Sequence, residues 1–166
     1  KSDLDEIKLT ISKDIVKIMP WTLPINLKGQ KIDPFYIDIG NMHAVICSNK
    51  IEDINLSRLA GNIYEETAHE CNVSVYELVT TGKVVSRTQE IGSGETASCG
   101  SGALAIATSY FESSKQDQVI IAQQGGTQSI ALRNNDYTIT ASATEVYTGE
   151  VNLLSYRCST LECIDT

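Results

Sequence analysis

The stretch from Gln89 to Ser113, QEIGSGETASCGSGALAIATSYFES, decides how the chain is read. Its first half is rich in glycine and hydroxyl residues and carries Cys99. Its second half, Ala103 to Ser113, reads as a helix with no charge before Glu112. A helix apolar on most sides is buried on most sides. The stretch therefore predicts a Gly-rich loop running into the N-terminus of a core helix. Unpaired backbone N–H groups at such an end attract anions, and glycines let a ligand approach closely. The helix dipole also favours thiolate over thiol. Cys99 is thus expected to have a lowered pKa and to be the most reactive thiol. A carboxylate nest beside such a thiol suits an enzyme that removes the α-proton of an amino acid: the nest holds the α-carboxylate and the thiolate takes the proton. The bland alternative is a small buried cysteine at a Gly-rich turn.

Working outward, Lys83–Gln89 and Val73–Thr80 read as two strands around the hairpin signal Thr81-Gly82. Asp53 to Thr67 has Ile54, Leu56, Leu59, Ala60 and Ile63 at helical spacing. Asp33 to Ser48 reads as β structure broken at Gly40-Asn41. Before it, Ile7–Ile11 and Ile15–Met19 are strand-like, with Pro20 and Pro24 interrupting. After the second helix come Val119–Ala122, Gln128–Leu132 and Tyr137–Ala141, with Gly125-Gly126 and Asn134-Asn135 as turns; Tyr147–Leu154 is a candidate for one more strand. The pattern predicts an α+β fold, mostly antiparallel strands wrapped around a largely buried helix. Residues 92–97 also fit the loose dinucleotide pattern G-x-G-x-x-[G/A]. That fingerprint needs a βαβ unit whose helix opens inside the motif, and here Cys99-Gly100-Ser101-Gly102 still intervenes, so the match reads as chance.

The chain has 166 residues, ordinary globular composition with 42% hydrophobic and 20% charged residues, and 13 Lys plus Arg against 21 Asp plus Glu, a net charge of −8. So acidic a surface repels phosphate, which argues against nucleic acid and anionic membrane as partners. No apolar run approaches a membrane span. Five cysteines, Cys47, Cys71, Cys99, Cys158 and Cys163, cannot all pair within one chain and show no disulfide framework. Reduced thiols and a cytoplasmic location are the expectation. Cys47, Cys71, Cys158 and Cys163 carry no motif and read as structural. With His43 and His69 they give no ligand pair at finger-like spacing, so no metal is expected. The chain opens on Lys1 rather than Met, which suggests a processed or cut protein with a part missing.

Gly92–Ala103, with Gly-Glu-Thr leading into Cys-Gly-Ser-Gly-Ala, resembles a segment of the diaminopimelate epimerase family. Gly40-Asn41-Met42-His43, preceded by Asp38, resembles that family's Gly-Asn-Pro-His. Asn72-Val73, Gly125-Gly126-Thr127 and Glu145-Val146-Tyr147-Thr148-Gly149-Glu150 match further pieces in order, so that the resemblance spans roughly 33–151. It implies one half of a two-domain isomerase of amino-acid metabolism, in the family's case lysine biosynthesis. In such enzymes each domain supplies one cysteine to a cleft: one thiolate abstracts the α-proton and the other thiol delivers a proton to the opposite face, without pyridoxal phosphate, metal or any other cofactor. The resemblance divides the chain into an entry arm at 1–30 from a missing N-terminal domain, a C-terminal epimerase-like domain at 31–155, and a tail at 156–166. It makes Cys99 the acid/base of this domain, with His43 and Glu90 helping proton transfer. Gly100 and Ser101 would offer N–H groups to the α-carboxylate, and Asn41 and Asn72 would contact the distal part of the substrate. The implied partners are a small amino-acid substrate and the N-terminal domain with its second catalytic cysteine, with a homodimer as a further arrangement; alone, the chain is expected to be inactive.

Read without the resemblance, His43 is equally a satisfied core histidine, Glu90 a solvated carboxylate after a strand, and Asn72 a strand-edge residue bonded to backbone. Three departures from the family pattern stand out. Met42 replaces a proline, Ala141-Ser142-Ala143-Thr144 replaces Thr-Gly-Pro-Ala, and Ile91 stands where the family has an arginine that holds the distal end of the substrate. Losing that charge points to a different distal group, as in histidine racemases related to this family, or to weak binding of diaminopimelate unless a basic residue such as Arg87 substitutes. Two other functions remain: a cysteine hydrolase or amidotransferase with a Cys99–His43 dyad, and a degenerate carboxylate-binding domain without turnover.

Overall fold

A computed structural model describes residues 5–20, 22–27, 29–145 and 147–150. Twelve strands and two α-helices occur among them: β1 (Asp5–Ser12), β2 (Lys17–Ile18), β3 (Ile25–Leu27), β4 (Gln30–Ile32), β5 (Phe35–Asp38), β6 (Met42–Cys47), α1 (Leu56–Thr67), β7 (Asn72–Thr80), β8 (Lys83–Glu90), β9 (Gly94–Thr96), α2 (Gly100–Ser114), β10 (Gln118–Gln123), β11 (Gly126–Arg133) and β12 (Asp136–Ala143). The fold is mixed α+β, mostly strand. One large sheet runs β1-β12-β11-β10-β8-β7-β6-β5-β2, with β9 pairing β8, and β3–β4 form a separate hairpin.

Nine strands laid flat would put β1 and β2 about 38 Å apart. Yet β1 ends at Ser12 and β2 starts at Lys17, a link that reaches at most about 18 Å. The sheet is therefore strongly curved, and residues 13–16 tie its two ends together. Lys13 N–H donates to Asn135 O at 2.9 Å and fixes that link to the β11–β12 turn. Asn134 and Asn135 both have positive φ, 51° and 67°, the backbone that a two-residue hairpin turn favours and asparagine tolerates.

Alternation along the strands builds two apolar cores. Ala44 and Ile46 of β6 and Val73 and Val75 of β7 face α1, which contributes Leu56, Leu59 and Ile63. Val45, Tyr76, Val84, Val119, Ile121, Ile130, Tyr137 and Ile139 face α2. With both faces covered, β6 and the first half of β7 are buried at nearly every position, and the polar residues among them, His43, Asn72 and Ser74, all lie on the α2 face. α2 buries Gly102 through Thr108 together with Tyr110 and Phe111, and contacts β6, β7, β10 and β11.

The structure departs from the sequence-based expectations at several elements. Ile15–Met19 yields a 3-10 turn and the two-residue β2. The β3–β4 hairpin and β9 were not expected, being only three residues each. Two strand pairs are parallel, β6 with β7 and β10 with β8. Each is joined through a helix, so β6–α1–β7 and β8–α2–β10 are crossover units. The second places a βαβ unit around residues 92–97, but β9 folds those residues back on β8 and the helix opens only at Gly100. Residues 147–150 are not strand, and Val146, the rest of that run and the tail with Cys158 and Cys163 lie outside the described residues. No helix among the described residues is long and apolar enough to cross a membrane.

Candidate active site

Cys99 is the N-cap of α2. Its backbone is extended (φ −135°, ψ 113°), and its Sγ accepts the Gly102 N–H at 3.2 Å. Ser101 Oγ lies 3.4 Å from the sulfur. The Glu90 carboxylate, at the end of β8, lies close enough to the thiol to push its pKa up, and it accepts the Thr96 hydroxyl of β9. The β8–β9 hairpin thus holds a carboxylate over the helix cap. Gly102 has to be glycine: a Cβ there would stand 2.9 Å from Thr88 Oγ1, 3.1 Å from Ser74 Oγ and 3.2 Å from Cys99 Sγ. Ser74 and Thr88 are themselves buried and paired at 3.0 Å, so the first turn of α2 sits on a polar layer of the sheet.

His43 and Asn72 extend that layer as neighbours across β6 and β7. Asn72 Oδ1 accepts the Ile91 N–H at 2.9 Å, which fixes its amide so that Nδ2 donates to His43 Nε2 at 3.4 Å. The imidazole proton therefore sits on Nδ1, which is buried and has no partner among the described residues. His43 is 0% exposed. Burial lowers its pKa from 6.5 to about 4, against the opposing pull of Glu90 and Asp38. It is a neutral imidazole at neutral pH.

Of the N–H groups at the start of α2, that of Cys99 donates to Gln123 Oε1 at 3.2 Å and that of Gly102 to the sulfur. Those of Gly100 and Ser101 have no acceptor among the described residues, and Gly100 is exposed. They are free donors beside the thiol, at the positive end of the helix dipole.

Several expectations need correction. The Cys99 pKa is raised, not lowered: the residue is only 4% exposed, and desolvation together with Glu90 outweighs the two hydrogen bonds from Ser101 and Gly102 that favour thiolate. Nor is it the most accessible thiol. Cys47 at the end of β6 is exposed, whereas Cys71 is buried with its pKa pushed up to about 11. No hydrogen bond joins His43 to Cys99, so the hydrolase dyad is not formed. Arg87 is already engaged within the protein. It lies on the α1 face, donates to both oxygens of Glu95 at 2.7 and 2.8 Å and gives Nη1 to Ile51 O and Ile54 O. Asn41 is exposed in the β5–β6 turn, its carbonyl accepting Ile39 N–H. Ile91 is half exposed beside a cavity of about 270 Å³ that Tyr64, Glu70 and Gln89 also line and that holds no Lys or Arg. Among the described residues no group of three or more His, Cys, Asp or Glu is placed to hold a metal ion.

Sequence reasoning missed Thr96, Gln123 and Gln128. Thr96 lies inside the quoted motif, three residues before the cysteine. The two glutamines reach the site only through folding, and nothing in the local sequence marks them.

A family model described as diaminopimelate epimerase matches residues 35–154. Curated diaminopimelate epimerases resemble the chain at similar levels. That of Brachyspira hyodysenteriae is 31% identical over 121 residues, covering 70% of this chain and 43% of the relative. That of Desulfovibrio desulfuricans is 30% identical over 132 residues, 76% and 46%, and that of Coxiella burnetii 31% identical over 164 residues, 86% and 58%. The chain thus spans about half the length of the curated relatives it matches. Among solved structures, a phenazine-biosynthesis PhzC/PhzF protein from Clostridium difficile superposes with a TM-score of 0.55 at 13% identity, over 89% of this chain and 58% of that one. A PhzF-family protein from Enterococcus faecalis gives 0.54 at 17% identity, over 86% and 55%. These two likenesses concern the fold.

Proposed function

The chain belongs to the diaminopimelate epimerase family, and on that premise we propose that it is the C-terminal half-site of a cofactor-independent amino-acid epimerase, with its sheet wrapped around α2 as one of two facing domains. Cys99 serves one face of the substrate's α-carbon, and a cysteine from a second domain serves the other. The observation that carries this is the conjunction at the start of α2: a thiol with the Glu90 carboxylate beside it, next to two backbone N–H groups without an acceptor among the described residues. The N–H groups of Gly100 and Ser101 hold the α-carboxylate and take up the charge that moves onto it as the Cα–H bond breaks. Glu90 accepts the thiol proton, and the sulfur then takes the α-proton, leaving the electron pair on the carbanion. The opposite thiol protonates that carbanion from the other face. His43 stays neutral and offers Nδ1–H to an acceptor brought by the substrate or the facing domain, while Asn41 and Asn72 border the distal end.

Substrate choice follows from Ile91. A distal carboxylate at this rim meets Ile91 and Glu70 rather than a cation, so the preferred substrate carries a neutral or cationic distal group. The cytoplasmic, reduced setting expected for the thiols suits this chemistry.

The test is deuterium incorporation at Cα from D₂O. Residues 1–166 alone are expected to give no enzymatic inversion, because inversion needs an acid and a base on opposite faces. Joined to the complementing domain, the protein is expected to exchange and invert, and Cys99→Ser to lower the rate by about 10²–10⁴-fold. A substrate panel with Ile91→Arg alongside reads the distal preference. Efficient inversion by the chain with Cys99 replaced would remove the proposal.

A further inference from the structure

Gln123 ends β10, twenty-four residues beyond Cys99, yet its amide is the main attachment of the cysteine loop. Oε1 accepts three hydrogen bonds: from Ser98 Oγ at 2.9 Å, from the Cys99 N–H at 3.2 Å and from Gln128 Nε2 at 3.0 Å. Its Nε2 donates back to Cys99 O at 3.5 Å. Gln128, on β11 and only 7% exposed, gives its Nε2 to Ser98 Oγ as well, at 3.2 Å. The turn between these strands adds a backbone contact, Gly125 N–H to Ala97 O at 2.6 Å. A Cβ on Gly125 would stand 3.1 Å from that same carbonyl oxygen, so only glycine lets the two segments approach this closely. Three successive residues of the loop, Ala97, Ser98 and Cys99, are thus held by one hairpin.

We propose that Gln123, locked in place by Gln128, is a positioning residue that latches Cys99 to the β10–β11 hairpin and selects which N–H groups remain for substrate. The amide oxygen occupies the Cys99 N–H, so an incoming carboxylate finds Gly100 and Ser101 and not Cys99. The same bond keeps Cys99 in its extended cap conformation, with Sγ directed at Gly102 N–H and Glu90 instead of solvent. An amide oxygen that accepts three donors leaves its side chain one orientation, and one of the three comes from the buried Gln128. The latch matters to catalysis only if Cys99 is the acid/base proposed above, but its existence is testable without turnover.

The experiment uses the whole chain, with hydrogen exchange at the Cys99 amide and iodoacetamide alkylation mapped by peptide across pH. Gln123→Leu keeps bulk and removes the acceptor; Gln123→Glu keeps an acceptor oxygen; Gln128→Leu frees the Gln123 side chain. With Gln123→Leu the Cys99 amide is expected to exchange about tenfold faster or more. Its thiol is expected to alkylate faster, with a midpoint moved down toward an ordinary cysteine, while buried Cys71 is unchanged. Gln123→Glu should keep the wild-type amide exchange, and Gln128→Leu should give a rise of about threefold. Unchanged exchange at Cys99 in Gln123→Leu overturns the latch, and so does a parallel rise at Cys71, which signals general loosening. Should Gln123→Leu not fold, unchanged exchange in Gln128→Leu overturns it instead. Loss of deuterium exchange at substrate Cα with the latch intact would count against the epimerase proposal alone.

Discussion

The molecule contains the same crossover twice. In β6–α1–β7 and in β8–α2–β10 a strand feeds a helix that returns to a parallel strand, and in both the N-cap side chain accepts the N–H three residues on. In α1 the cap is Asn55, whose Oδ1 takes Arg58 N–H at 2.9 Å; in α2 it is Cys99, whose sulfur takes Gly102 N–H at 3.2 Å. Asn55 makes an ordinary helix start, over an apolar core formed by Leu56, Leu59 and Ile63 with β6 and β7. Cys99 makes a helix start over Ser74, Thr88, Asn72 and His43, with Glu90 alongside. One backbone device becomes a structural joint or a reactive centre according to the cap atom and the polarity of the layer beneath it.

That difference predicts opposite pH limits. On the α2 side, burial depresses the His43 pKa to about 4. The unfolded chain takes up this proton near 6.5 while the folded one resists, so the stabilisation is whole above about 6.5 and is lost as pH falls through about 4. It amounts to roughly 3 kcal/mol. On the α1 side, burial raises Cys71 from 9.0 to about 11. Here the folded protein keeps a proton that the unfolded chain releases, so the stabilisation is whole below about 9 and fades as pH rises through about 11, again by roughly 3 kcal/mol. Denaturant melts from pH 4 to 11 measure both. His43→Gln should flatten the acid limb and Cys71→Ala the alkaline one. If each variant keeps the wild-type slope, the two sides do not differ in this way.

A second contrast lies in two helical glycines. A Cβ on Gly102 of α2 would press on Thr88, Ser74 and the sulfur, while one on Gly61 of α1 meets nothing within 4 Å. Gly102→Ala is expected to cost about 1–3 kcal/mol through overpacking, and Gly61→Ala to gain about 0.5–1 kcal/mol by removing helix-interior glycine. Thermal melts of the two variants should move in opposite directions. A loss with Gly61→Ala, or no change with Gly102→Ala, would mean the two helices pack alike.

What the sequence made legible follows the same division. The core helix and Cys99 at its start were readable because an uncharged run after a Gly-rich loop has few alternatives, and Asn134-Asn135 and Thr81-Gly82 announced their hairpins locally. The parallel pairings were hidden, since strand direction depends on where the chain returns after a helix and not on local pattern. The direction of the Cys99 pKa is not legible in the sequence, because a helix start shows there while the burial beneath it and the approach of Glu90 do not. Arg87 shows the same limit from the other side. Its charge was plain in the sequence, but β8 alternation turns it to the α1 face, where Glu95 and two carbonyls occupy it.

The smallest effect concerns the caps themselves. Asn55→Ala removes an oxygen acceptor from an exposed helix start and should cost about 1 kcal/mol. Cys99→Ser does the reverse. Serine is among the preferred N-caps and cysteine is not, and its hydroxyl oxygen suits Gly102 N–H better than sulfur does. The new hydroxyl also has an acceptor within its surroundings, since the Glu90 carboxylate lies close to this position. Serine is slightly smaller, but the contacts at Cys99 are polar rather than apolar, so the loss of packing is slight. Cys99→Ser should therefore match or exceed wild type in stability by up to about 0.5 kcal/mol, even as it removes the thiol chemistry. Paired melts of Asn55→Ala and Cys99→Ser test this. A destabilisation by Cys99→Ser comparable with that of Asn55→Ala would mean that the cysteine is kept for packing, and that the two helix starts differ less in purpose than in composition.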